Sequence, residues 1–155
     1  MPLFSFWGIV DAMSKHNKIT KVGVGVFIVR GNKILLGKRK NAHGDGEYAG
    51  AGGHLEYLET FEETALRELA EEMGDNIKVK NIRLLSVTNL RKYKPKHYID
   101  IGMLAEWVSG EPKVMEPHKI DYWEWFDIDD LPEPLFGTIP NYVEAYKTGK
   151  VYFNS

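Results

Sequence analysis

Between Gly53 and Asp75 the chain carries a helix with both ends marked and two faces of opposite character. Thr60, with Glu63 three residues on, predicts a capping box, in which each side chain satisfies a backbone N–H of the other. Gly74 stands where a C-terminal stop is expected, so the helix should span Thr60 to Met73. Phe61, Ala65, Leu66, Leu69 and Met73 fall on one broad apolar stripe, and such a stripe needs a sheet to dock on. From Glu59 to Glu72 there are also six glutamates (59, 62, 63, 68, 71, 72) and one arginine, a local charge of −5.

Glu68, Glu71 and Glu72 stand at i, i+3 and i+4, which puts Glu68 beside both of the others. Like charges at these spacings destabilise a helix by about 0.2–0.5 kcal/mol per pair. One reading is a solvated acidic face. The other is a cation site, because Mg²⁺ takes one or two carboxylates together with waters and substrate phosphates. So acidic a patch would repel a polyphosphate unless divalent cations lay between them.

The rest of the chain sets the frame for this helix. A length of 155 residues favours one compact domain, and 43% hydrophobic with 27% charged residues is an ordinary globular composition. The sequence has no cysteine, which excludes thiol nucleophiles, thiolate metal sites and a disulfide scaffold, and fits a reducing, cytoplasmic location. A net charge of −2 argues against a general grip on a nucleic-acid polymer. Met1 to Val10 is apolar and aromatic, but too short to span a bilayer and without the basic start of a signal peptide. Residues 1–19 are therefore expected to be an N-terminal extension and residues 20–155 the domain.

Val22 to Val29 reads as a buried strand, β-branched at its even positions, with Gly23 and Gly25 leaving the other face open to a close approach. Gly31-Asn32 turns the chain into a second strand, Lys33 to Arg39. Asn41 to Gly53, with five glycines, reads as a loop holding at most a short strand. Further strands are expected at about Ile77–Val87, His97–Trp107 and Tyr122–Phe126, with a basic connection at Arg91–Lys96 and a terminal helix at Asn141–Lys147. This mixture predicts a single α/β domain.

Read as one pattern, the motif is Gly53, five residues, Glu59, seven residues, Arg67-Glu68-Leu69, one residue, Glu71-Glu72, one residue and Gly74. It resembles the Nudix box and fills every fixed position but the last, where Asp75 replaces the usual aliphatic residue. The resemblance runs from about Val22 to Leu135. Gly-Lys-Arg-Lys at 37–40, Gly-Gly-His-Leu-Glu at 52–56 and Trp-Glu-Trp-Phe at 123–126 look like MutT-type nucleotide hydrolases. Ala51 stands where proline is common and Leu58 where glycine is, both in the loop entering the helix.

The resemblance implies an α/β/α sandwich with a mixed central sheet and hydrolysis of a nucleoside diphosphate linked to another group. Glu68, Glu71 and Glu72 become the metal-binding and water-activating carboxylates, with Glu68 the first choice for the proton acceptor and the Gly52 carbonyl a further metal ligand. Arg67 would orient the neighbouring glutamates, Glu59 would support the loop–helix packing or an outer metal shell, and Gly53 and Gly74 frame the motif. Glu116 is either an additional metal-binding acid or an exposed loop glutamate. Arg39 matches a phosphate-contacting arginine, while Tyr98 and Trp123, along with Trp125 and Phe126, offer faces on which a base could stack for about 1–3 kcal/mol.

The implied cofactor is Mg²⁺, with Mn²⁺ as a substitute, and the implied partner is a small nucleotide; similar proteins often form homodimers. Cleavage of nucleoside triphosphates to monophosphate and pyrophosphate is the expected reaction. The alternatives are ADP-ribose or dinucleoside polyphosphate hydrolysis, and a nucleotide-sensing module that no longer cuts.

Overall fold

The computed structural model describes residues 18–155, so the expectation for residues 1–17 lies outside the described residues. In chain order the elements are strands β1 (Lys21–Arg30), β2 (Lys33–Arg39), β3 (Tyr48–Ala49) and β4 (Ala51–His54), then helix α1 (Phe61–Met73). Strands β5 (Lys78–Leu90), β6 (Tyr98–Ser109) and β7 (Ile120–Asp127) follow, then helix α2 (Ile139–Thr148) and strand β8 (Tyr152–Asn154). The strands form one sheet in the order β3-β2-β1-β6-β5-β8, with β4 added to β1 and β7 to β2. β1 runs parallel to β6 and antiparallel to β2 and β4, which makes the sheet mixed.

Side-chain alternation along β1 divides the core in two. Val24, Val26 and Ile28 join Ala65, Leu69 and Met73 of α1 on one face. Phe27 and Val29 join Ile139, Tyr142 and Ala145 of α2 on the other. A helix thus covers each face, in the α/β/α arrangement expected. Among the described residues no helix is long and apolar enough to cross a membrane.

The capping box forms as its residues dictate. Glu63 N–H donates to Thr60 Oγ1 at 3.1 Å and Thr60 N–H to Glu63 Oε2 at 2.8 Å. The helix ends at Gly74, whose φ of 80° is open to glycine and strained for other residues.

Two expectations are corrected and a third is made specific. The segment read as a loop from Asn41 to Gly53 contains two short strands, and Ala51, Gly52 and Gly53 pair with Val26, Gly25 and Val24 of β1. Their glycines give no alternation to read, and the pairing comes from β1, not from local propensity. α2 begins at Ile139 with Pro140 in its first turn, earlier than expected, and β8 was not foreseen. The close approach expected at Gly25 is that of Tyr142, since a Cβ at Gly25 would lie 2.1 Å from its hydroxyl oxygen. Gly102, the β6 partner of Gly25, would meet the same ring at 2.5 Å, so the phenol lies over a glycine pair.

Candidate active site

Packing of α1 against β4 decides where the carboxylates point. Glu68 is only 7% exposed and sits directly under Gly53, where a Cβ would fall 2.0 Å from Glu68 Oε1. A side chain at Gly53 would therefore displace the Glu68 carboxylate that Arg67 holds.

Arg67 ties this corner together. Its Nε and Nη2 donate to the two oxygens of Glu59 at 2.7 and 2.8 Å, a bidentate pairing. Nη1 donates to Glu68 Oε1 at 2.7 Å and Nη2 also to the His54 carbonyl at 3.0 Å, while Glu71 lies 3.6 Å from Nη1. Glu59 further accepts from Thr64 Oγ1 at 2.8 Å and from the Glu56 N–H at 3.2 Å. The Arg67 hydrogen bond, helped by Thr64, holds the Glu59 carboxyl down at about 2, and Arg67 itself is held well above its usual range by Glu59. Glu59 thus fastens the entering loop to the helix.

Glu72, half-buried on the next turn, accepts the Gly52 N–H on Oε2 at 3.2 Å. Burial drives its carboxyl up to about 8 against that hydrogen bond, and the charges of Glu68 and Glu116 push the same way. Burial also raises Glu68, opposed by Arg67 and assisted by Glu71 and Glu116. Glu71 is exposed.

Glu116 reaches this cluster because its loop closes the C-terminal end of α1. Lys113 N–H donates to the Met73 carbonyl at 2.8 Å and Met115 N–H to the Glu72 carbonyl at 3.3 Å, satisfying acceptors that a helix end leaves free. Lys119 pairs with Glu116 at 2.5 Å and lies within the field of Glu72 and Glu68.

Among the described residues no three carboxylate or imidazole groups converge into a ready-made metal cage. The donor chemistry nevertheless suits Mg²⁺, which takes few protein oxygens and completes its shell with water and phosphate. After burial, the charges of Glu71 and Glu116 raise Glu68 and those of Glu68 and Glu116 raise Glu72, and a divalent cation would relieve that repulsion.

A cavity of about 140 Å³ opens on the α2 face of the sheet, lined among others by Gly23, Arg39, His43, Gly52, Tyr98 and Asp100. This is smaller than the roughly 300–1,000 Å³ of clefts that enclose a whole drug-sized ligand, so it suits one part of a substrate. Arg39 is half-buried, donates from Nε to the His43 carbonyl at 3.2 Å and lies 4.8 Å over the Phe136 ring. Burial lowers its pKa, and Glu72 is the strongest influence opposing that shift. Arg39 makes no salt bridge among the described residues, lines the cavity and feels the charge of Glu72 on the acidic helix. Burial and the charges of Arg39 and Lys96 push His43 down to about 4, which keeps it neutral at pH 7.

The structure thus brings Glu68, Glu71, Glu72, Arg67, Glu116, Gly52, Arg39 and Tyr98 around one region. Trp123 is placed elsewhere. It packs with the α1-side core, its ring fills the space over Gly37, and its buried indole N–H has no partner among the described residues. Sequence reading missed Asp100, Phe136, Thr138 and Tyr142 in the cavity wall and Lys119 beside the acids. Asp100 is the one charge in the run Tyr98–Met103, but its alternation with Ile99 and Ile101 reads as a solvent-facing position.

The family pattern of the NUDIX domain matches residues 19–146. A protein of Methanocaldococcus jannaschii named ADP-ribose pyrophosphatase is 40% identical over 116 residues, 74% of this chain and 66% of its own length. A Danio rerio protein named oxidized purine nucleoside triphosphate hydrolase is 32% identical over 121 residues, 69% of this chain and again 66% of its own. This chain thus spans just under two thirds of both relatives. The crystal structure of a MutT NUDIX hydrolase from Burkholderia pseudomallei superposes with a TM-score of 0.75 at 37% identity, covering 82% of this chain and 98% of that one.

Proposed function

The chain belongs to the NUDIX hydrolase family, and from that premise we propose that it cleaves nucleoside triphosphates to monophosphate and pyrophosphate with Mg²⁺. The observation that carries this reading is a shared wall. Gly52 lines the cavity and donates its N–H to Glu72 at 3.2 Å, so a group held in the cavity has its phosphates beside the acidic helix. Arg39, with no carboxylate salt bridge among the described residues, is a cation available to those phosphates.

Glu68, Glu71, Glu72, Glu116 and the Gly52 carbonyl are the groups that would hold the cation; Mn²⁺ would substitute. When bound, it would neutralise phosphate oxygens and lower the pKa of the attacking water. Glu68 accepts that water's proton: Arg67 holds its Oε1, and Oε2 has no hydrogen-bond donor among the described residues. Phosphoryl chemistry asks for positioning and charge stabilisation, so the absence of cysteine is no obstacle.

Incubation with Mg²⁺ and a panel of nucleoside triphosphates, ADP-ribose and dinucleoside polyphosphates tests the reading. Pyrophosphate release from triphosphates, absent in a Glu71→Gln/Glu72→Gln double variant, is the expected result. Cleavage of ADP-ribose alone would overturn the substrate, and no metal-dependent turnover would overturn the enzyme. ADP-ribose is the second reading because the archaeal relative, at 40% identity, carries that name.

A further inference from the structure

One buried acid takes no part in the cation chemistry. Asp100 is 8% exposed and lines the cavity. Its Oδ2 accepts the Tyr142 hydroxyl at 2.6 Å, which fixes the plane of the carboxyl. Its Oδ1 accepts nothing from the described residues, yet it is not among their sealed, unpartnered polar atoms. That oxygen therefore faces the cavity and lacks a donor, whereas buried acceptors are normally paired. No described lysine, arginine or histidine forms a salt bridge with Asp100, and Arg39, in the same cavity, does not pair with it.

The cavity wall beside Asp100 combines bare backbone with aromatic rings. Gly23, its neighbour across β1, presents bare backbone, and a Cβ there would meet nothing closer than 3.8 Å. To one side the Tyr98 ring stacks with His43 at 6.0 Å and 13° and with His54 at 5.6 Å and 23°. Tyr98 and His43 thus put aromatic groups, and Gly23 bare backbone, on the lining that Asp100 shares.

We propose that Asp100 is a specificity-determining residue whose free oxygen accepts the exocyclic amino group of a nucleobase, so that amino-bearing bases are preferred to their oxo or hydrogen counterparts. This rests on the reading that the cavity takes the base of a nucleotide. A base with a carbonyl at that edge sets lone pairs against the carboxyl oxygen, and one with hydrogen leaves it unpaired. Sites built to pair with a substrate N–H reject analogues lacking it far more strongly than apolar pockets reject a missing methylene.

The test is calorimetric binding of nucleoside monophosphates in Mg²⁺ at about pH 8.5, where the Asp100 carboxyl is ionised and its free oxygen only accepts, with AMP and GMP compared with IMP, and CMP with UMP. At least one amino-bearing member should bind about 10-fold or more tightly than its counterpart. Asp100→Asn, whose amide offers either a donor or an acceptor, should compress that ratio to about threefold or less. Gly23→Val, which fills the floor, should weaken all five ligands alike.

A wild-type protein that discriminates none of these pairs, or binds none of the five, overturns the proposal even if Asp100→Asn does not fold. Discrimination that survives in folded Asp100→Asn also overturns it. Because monophosphate binding needs no turnover, the two readings fail separately. Discrimination without any triphosphate cleavage would overturn the triphosphate reading and leave Asp100 its role. Cleavage without discrimination would do the reverse.

Discussion

The hydroxyl of Tyr142 on α2 lies 2.6 Å from Oδ2 of Asp100 on β6, so a helix and a sheet strand are joined through one buried hydrogen bond. Burial pushes the Asp100 carboxyl up to about 7, although the Tyr142 hydroxyl pulls it down. An unfolded aspartate titrates near 3.9, so between these values the folded state holds a proton that the unfolded state releases. The contribution of Asp100 to stability is complete below about pH 4 and is lost as pH rises through about 7. Its full size is on the order of 4 kcal/mol. Urea unfolding at pH 5 and pH 8 should show a larger loss in the wild type than in Asp100→Asn; parallel profiles would refute the assignment.

Gly25 and Tyr142 should couple in a double-mutant cycle. Gly25→Ala forces a methyl against the phenol and is expected to destabilise by about 1–3 kcal/mol. In a Tyr142→Phe background the nearest atom is gone, so the same substitution should cost less. A coupling energy within error of zero would mean that the strand relaxes elsewhere.

Arg67 should matter beyond its charge. Arg67→Lys keeps the charge but loses the bidentate grip on Glu59. Partners that orient metal ligands typically contribute about 10–100-fold to activity or metal affinity, and both Arg67→Lys and Arg67→Ala should fall in that range. Steady-state kinetics across Mg²⁺ concentrations will show whether the loss lies in cation binding, in kcat or in both; variants with wild-type kinetics would remove Arg67 from the site.

Cation binding should release a proton at neutral pH. With Glu72 held at about 8 by burial, the carboxylate is mostly protonated at pH 7 and must ionise to serve as a ligand. Calorimetry of Mg²⁺ binding in buffers of different ionisation enthalpy should report that proton in the wild type and lose it in Glu72→Gln. Affinity should accordingly rise with pH through about 8 in the wild type and flatten in the variant.

Much of α1 is legible because its signals are local. The Thr60–Glu63 box, the apolar stripe and Gly74 lie within one helix, and so do the glutamates it presents. Arg39 is visible as the end of a strand. Asp100 is different. In isolation Ile99-Asp100-Ile101 reads as ordinary alternation with the acid turned to solvent, but α2 covers that face and makes solvent a core. Nothing near Asp100 announces that Tyr142, forty-two residues away, will meet it. Likewise β4 exists only because β1 offers it hydrogen bonds, and Glu116 joins the acids only because its loop caps a helix end.

The peptide N–H that Gly52 gives to Glu72 belongs to the same residue that lines the cavity. A substitution on β4 that reshaped the cavity would therefore also displace a carboxylate of the acidic helix. Changes of ligand preference that leave turnover intact should accumulate instead on β6 and on the segment around Phe136 and Thr138, which border the cavity from the other side. Over evolutionary time that asymmetry would hold one wall nearly fixed while the opposite wall drifts, and relatives with different ligands should diverge along the drifting one.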